Sequence, residues 1–178
     1  MIKKIYLRLF MLTSIIIFTI CLVNPIYAQD EKQNDNVKRK KGLTAAIQNN
    51  QMDIMFPFWT AEKFVIAPAF SVLYVQDRGT DLAIGFVFKV YKSVKKISPY
   101  WGGRAGILIL SPDDGNNTQD FLAGILIGGE YFLHPQFSFG IEAQINASFS
   151  DESSLRFNNP GGMILNTATA ITANIYFE

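Results

Sequence analysis

The chain is 178 residues long, has a formal net charge of +1, and has charged residues at only 17 % of its positions. That length suits one domain, and the near-neutral balance gives no electrostatic footing for nucleic acid. The single cysteine, Cys21, excludes a disulfide framework.

The first segment is set apart from the rest. Lys3, Lys4 and Arg8 precede an apolar run from Leu9 through Val23, broken only by Thr13, Ser14 and Thr19. Pro25-Ile26-Tyr27-Ala28 then leads into Gln29-Asp30. Charge, apolar core and a small residue at the cut are the order of a secretory signal peptide, so residues 1–28 are expected to be removed after Ala28. A membrane-anchor helix needs about 20 apolar residues, which this run does not reach. A lipidated cysteine would follow a small residue, whereas Ile20 precedes Cys21. Cleavage takes Cys21 away, leaving no thiolate ligand or nucleophile. It also takes three basic residues and no acidic one, leaving thirteen basic against fifteen acidic. Residues 29–41 read as a disordered polar linker. Its end, Val37-Lys38-Arg39-Lys40-Lys41, resembles a phosphate-binding patch only in charge, since no aromatic residue is interleaved.

From Gly42 onward apolar residues alternate with polar or small ones between clusters of turn residues, the period of β-strands. Eight strands are predicted. The first covers about Gly42–Gln48, and Asn49-Asn50 turns the chain. The second, about Gln51–Phe58, has Ile54, Phe56 and Phe58 on its apolar face, and Thr60-Ala61-Glu62 is the connection. The third, about Lys63–Val75, contains Pro68 in mid-strand, where a bulge or local break is expected because proline cannot donate to a ladder. The fourth, about Asp81–Tyr91, sets Leu82, Ile84, Phe86, Phe88 and Val90 against Ala83, Gly85, Val87 and Lys89. The fifth is about Pro99–Leu110, and Ser111–Gln119 is a loop. The sixth, about Asp120–Leu133, turns tightly through His134-Pro135. The seventh, Phe137–Phe149, alternates without a fault: Phe137, Phe139, Ile141, Ala143, Ile145, Ala147 and Phe149 against Ser138, Gly140, Glu142, Gln144, Asn146 and Ser148. A long loop, Ser150–Gly162, leads to the eighth, Met163–Glu178.

These strands, joined by hairpins, can close into an all-β, eight-stranded antiparallel up-and-down barrel over residues 42–178. Two polarities are possible. A secreted lipocalin-like barrel would hold an apolar ligand among bulky side chains and carry charge outside. A transmembrane barrel would turn the bulk outward and keep glycines and small polar groups inside. Here the apolar faces carry phenylalanine and isoleucine, the opposite faces carry Gly85, Gly102, Gly106, Gly124, Gly128 and Gly140, and the main mid-strand ionisable residues are Lys89, Arg104, Glu130 and Glu142, all on the non-apolar face. The transmembrane polarity is therefore expected. Loop parity agrees, because the two longest loops fall at one end and the shortest turns at the other. Phe58, Trp59, Tyr100, Trp101, Tyr131 and Phe132, all near the short turns, are expected to form an interfacial aromatic girdle.

The hairpin Gly128-Gly129-Glu130-Tyr131-Phe132-Leu133-His134-Pro135-Gln136-Phe137-Ser138-Phe139-Gly140-Ile141-Glu142 carries a family likeness. From Gly42 to the end the chain resembles the small eight-stranded outer-membrane barrel proteins of bacteria, those similar to the outer-membrane protein A transmembrane domain. The resemblance implies a bacterial outer-membrane location, lipid and the barrel-assembly machinery as partners, and a C-terminal aromatic assembly signal. Phe177 fills that last role one position early, since Glu178 ends the chain.

Folding the predicted strands back on one another puts Lys89 level with Gly102 and Glu130, and Arg104 level with Ile127 or Gly128 and with Glu142. Two structural lumen ion pairs are expected, Lys89–Glu130 and Arg104–Glu142, because buried charge is tolerated when paired. A third reading, an outer-membrane lipid-modifying enzyme with a His and a Ser at the outer rim, is disfavoured and no catalytic residue is assigned, because the sole histidine, His134, falls in a turn at the opposite end. The oxygens of Asp113, Asp114, Asn116, Asn117 and Asp120 do not match a calcium-loop spacing, so no metal or cofactor is expected. The expected role is structural or surface-interacting, with a narrow, largely plugged lumen.

Overall fold

The computed structural model describes residues 39–48, 51–76, 79–113, 115–154 and 156–178. The leader and nearly all of the linker lie outside the described residues, as do the turn at 49–50 and Asp77, Arg78, Asp114 and Leu155. The described strands are β1 (Lys41–Gln48), β2 (Gln51–Met55), β3 (Phe58–Ala61), β4 (Phe64–Val75), β5 (Gly79–Tyr91), β6 (Ile97–Ser111), β7 (Thr118–His134), β8 (Phe137–Phe149) and β9 (Met163–Phe177). Each pairs antiparallel with its neighbours, and β1 pairs with β9 from Lys41↔Phe177 to Gln48↔Ala170, closing the sheet. Because β2 and β3 share one strand position between β1 and β4, the result is an eight-stranded barrel.

The division of that position is explained by two prolines. Pro57 separates β2 from β3, and Pro68 sits in β4 across from it. The Pro68 carbonyl accepts from the Phe56 N–H at 2.9 Å. A residue's N–H and C=O point to the same side of a strand, so the donor that Pro68 lacks would also have faced Phe56. The break therefore falls in the partner strand. β4 itself is continuous and stays in register with β5 from Phe64↔Val90 to Val75↔Gly79. The expected bulge within β4 is corrected to a break at residues 56–57.

β8 matches its predicted span, and its alternation is realised in space. Ser138, Gly140, Glu142, Gln144, Asn146 and Ser148 are buried, while Phe139, Ile141, Ala143, Ile145 and Phe149 are exposed. Ile141 is 60 % exposed and its neighbour Glu142 is 2 %. The same inversion holds for Phe86, Ile125, Ile127 and Ile171, which face away from the barrel axis. A lipocalin-like arrangement is thus the reverse of the observed one. At about 3.3 Å per residue and a tilt near 40°, the 13 residues of β8 rise roughly 33 Å, enough for an apolar band about 25 Å tall.

Both ends of the sheet's seam, the start of β1 and the finish of β9, lie at the end that carries the turns at 62–63, 92–96 and 135–136. The opposite end carries the loops at 112–117 and 150–162. These are termed the turn end and the loop end.

Candidate functional site

The lumen is the candidate site, and it has two halves. Nearest the turn end, inward parity brings Tyr91 from β5, Glu130 and Phe132 from β7, Ser138 from β8, and Asn174 and Tyr176 from β9 into one layer. Glu130 is held by hydroxyls. Tyr91 donates to Oε2 at 2.5 Å, Tyr176 donates to Oε1 at 2.7 Å, and Ser138 also donates to Oε1. Asn174 extends the network, donating from Nδ2 to Ser138 Oγ at 3.0 Å and accepting from Thr44 Oγ1 at 2.7 Å. Trp59 stacks on Tyr91 with ring centroids 4.9 Å apart. Below them Arg39 donates from Nε to the Pro135 carbonyl at 2.6 Å and lies 4.2 Å from the Phe132 ring centroid. Arg39 falls within the expected polar linker. It is instead docked against the turn end, and the following strand begins at Lys41.

One layer up, Glu142 is the hub. Its Oε1 pairs with Lys89 Nζ at 2.6 Å and accepts from Tyr100 Oη at 2.9 Å, while Oε2 accepts from Gln144 Nε2 at 3.1 Å. The Lys89 ammonium lies 4.6 Å from the Tyr100 ring centroid. Tyr100 fits because Gly128 faces it: a Cβ there would lie 2.8 Å from the Tyr100 hydroxyl and 2.6 Å from the Ile141 carbonyl oxygen. Arg104 comes next. Its Nη1 donates to Gln48 Oε1 at 2.6 Å and Gln144 Oε1 at 2.8 Å, and Nη2 lies 3.6 Å from Asp53 Oδ2.

The four charges expected to pair, Lys89, Arg104, Glu130 and Glu142, all lie in the lumen, but their pairing differs from the expected one. Lys89 partners Glu142, not Glu130, and Arg104 partners Asp53 and two glutamines, not Glu142. The cause is register. Gly102 sits opposite Leu126, and Ser98 sits opposite Glu130. Arg104 sits opposite Gly124, and Glu142 opposite Gly128. Both expected pairs were displaced by four residues along β7, because the length of the 112–117 loop sets that register and strand periodicity does not. The tyrosines that hold Glu130 were missed for a different reason: their inward parity was readable, but a phenol in a lumen has no motif.

The aromatic girdle also divides. Phe58, Trp101 and Tyr131 are exposed on the outer face. Trp59, Tyr100 and Phe132 point inward, with Tyr100 and Phe132 buried. Adjacent residues of a strand face opposite sides, so each pair Phe58-Trp59, Tyr100-Trp101 and Tyr131-Phe132 contributes one member to each face. Phe177 is exposed on the outer face beside the seam. His134 ends β7 at the tight turn, where its Nδ1 accepts from the Gln136 N–H at 3.3 Å.

Above Arg104 the lumen opens into a cavity of about 340 Å³, walled by Leu73, Ala83, Leu108, Leu122 and Phe157. Two buried acceptors at this level, Asn146 Oδ1 and Ser148 Oγ, have no hydrogen-bond partner among the described residues. The roof is the 150–162 loop. Arg156 reaches down to Asp81 through both terminal nitrogens, Nη2 to Oδ1 at 2.8 Å, and donates from Nε to Asp120 Oδ2 at 2.9 Å. Ser154 Oγ donates to the same Asp120 oxygen at 2.9 Å, and the Asp151 N–H donates to the other at 2.9 Å. Asp120 is thereby committed to the loop latch. Among the described residues no group of three His, Cys, Asp or Glu side chains could hold a metal.

No family model matches the sequence, and no curated protein does. Solved structures do match. The chain is similar to the N-terminal β-barrel domain of Pseudomonas aeruginosa OprF, at 9 % identity and a TM-score of 0.53, over 79 % of this chain and 100 % of that one. It is similar to Neisserial surface protein A (NspA) at 12 % identity and a TM-score of 0.52, over 77 % of this chain and 93 % of that one. Both neighbours are small outer-membrane β-barrels, and at these identities the likeness is one of fold.

Proposed function

We propose that this protein is a non-enzymatic barrel of the bacterial outer membrane, with a structural or surface-interaction role and a lumen that conducts poorly. The observation that carries this reading is the inverted wall: large apolar side chains cover the outside of β7, β8 and β9, while charges are confined within. In water such a surface would be an aggregation liability, and in a bilayer it is the required solvent contact. Closure of β1 on β9 supports the same reading, since an open edge would leave backbone groups without partners in lipid. The plug is supported by the Glu130 and Glu142 layers, whose bulky side chains bond across the axis.

The partners of this reading are outer-membrane lipid and the barrel-assembly machinery, which would read Phe177 at the finish of β9. The long loops at the loop end are the surface offered to an extracellular partner. The test is extraction and conductance. The protein should stay with membranes through a high-salt wash and leave with detergent, and it should give only rare, small current steps in planar bilayers. Release by salt alone would overturn the membrane placement, and a large steady conductance would overturn the plug.

A further inference from the structure

Charge is divided sharply between the two ends of the barrel. The turn end carries Arg39, Lys40, Lys41, Lys63, Lys92, Lys95 and Lys96 against Glu62 and Glu178. The described loop end carries Asp81, Asp113, Asp120, Asp151 and Glu152 against Arg156. Two of the four sectors of the turn-end rim are basic, the start of β1 and the β5–β6 loop, while the β3–β4 turn balances Lys63 with Glu62.

Two of these lysines stand on the lipid-facing side of the wall. Lys41 is exposed at the foot of the outward column Leu43, Ala45, Ile47. Its register partners on either side are Phe58 of β3 and Phe177 of β9, both exposed on the same face. Lys92 is exposed at the foot of the outward column Phe86, Phe88, Val90, and its N–H bonds to the Pro99 carbonyl, two residues before the exposed Trp101. Each lysine thus shares the outer face with neighbouring aromatic residues at the edge of the apolar band. That is the depth at which a bilayer places its phosphates, with acyl chains beginning beside the rings.

We infer that the turn-end rim, through Lys41 with Phe58 and Phe177 and through Lys92 with Trp101, is a binding site for anionic phospholipid headgroups. The inference rests on the membrane-spanning reading above. It does not follow from net charge, because residues 39–178 carry twelve acidic and eleven basic side chains, a balance that would repel an anionic surface slightly. A basic side chain close to an anionic bilayer surface favours binding several-fold.

The test uses the protein in vesicles of phosphatidylcholine containing brominated phosphatidylglycerol or, separately, brominated phosphatidylcholine, with tryptophan fluorescence as the readout. Trp101 faces the lipid and Trp59 the lumen, so quenching reports the lipid next to Trp101. Brominated phosphatidylglycerol should quench with a relative binding constant about fivefold that of brominated phosphatidylcholine. The Lys41→Glu/Lys92→Glu variant should bring that ratio to one or below, with folding verified by its heat-modifiable gel mobility. A charge-preserving Lys41→Arg/Lys92→Arg variant should keep the preference. Equal quenching by both lipids in the unaltered protein overturns this site while leaving the membrane reading intact. Absence of quenching by either lipid overturns the membrane reading itself.

Discussion

The two halves of the lumen are built on opposite principles. Toward the turn end, Tyr91, Tyr100, Phe132 and Tyr176 fill the bore, and both buried carboxylates are saturated with partners. Toward the loop end, small and aliphatic side chains leave a cavity of about 340 Å³, and closure comes from a loop reaching in through Arg156. The difference separates stability from access. The turn-end half is a packed polar core, whose removal should unfold the barrel. The loop-end half is a vestibule under a latch, whose removal should change only what the loop does.

The largest contrast should come from Lys89→Met. It leaves Glu142 buried without its cation, which costs about 3–5 kcal/mol for a buried pair broken on one side. Urea unfolding in detergent micelles should show the loss, and the double variant Lys89→Met/Glu142→Gln should recover most of it. A recovery of nothing would mean that the cost lies in packing around the lysine stem. Glu130→Gln comes next. Three hydroxyls donate to this carboxylate, and an amide cannot accept from all of them as strongly, so a loss of about 1–3 kcal/mol is expected in the same assay. Arg156→Ala tests the other half. Asp81 is partly exposed, and the buried Asp120 keeps the Ser154 hydroxyl and the Asp151 N–H as donors, so global stability should fall by clearly less than for Lys89→Met, while protease cleavage within 150–162 should speed up markedly. Equal destabilisation by Arg156→Ala and Lys89→Met would erase the distinction between the halves.

The smallest effect belongs to Asp151. Its carboxylate accepts from the Ser153 hydroxyl at 2.7 Å and the Ser153 N–H at 2.9 Å, and these bonds hold its pKa below the usual aspartate value. A depressed carboxylate supports the fold above its unfolded pKa, and that support is lost as pH falls through the folded value. The Ser153 amide resonance should stay constant through neutral pH and shift only in the acid range below ordinary aspartate titration. A shift near neutrality would contradict the turn geometry.

The wall was far more legible in the sequence than the bore. Alternation from Phe137 to Phe149 states which side chains share a face, and a period of two survives any error in strand ends. Cross-strand neighbours are another matter. Lys89 and Glu142 meet through three registers; Lys89↔Gly102 and Gly128↔Glu142 match expectation, but β6 against β7 is set by a loop whose effective length the residues do not announce, and a four-residue displacement there moved both predicted lumen pairs. Adjacent aromatics misled in a simpler way. Proximity to a turn suggests that Tyr100 and Trp101 act together, whereas the pleat sends one to the lumen and the other to the outer face. Arg39 looked like linker because its partners, Pro135 and Phe132, lie about a hundred residues away.

The inverted wall is tested most directly by a nitroxide at position 141, introduced through Ile141→Cys with Cys21 replaced by serine, in protein reconstituted in bilayers. Collision with dissolved oxygen should far exceed collision with a water-soluble nickel chelate there, the reverse of a label at Ser153 in the loop-end turn. A label at 141 that nickel reaches as readily as it reaches 153 would contradict the account.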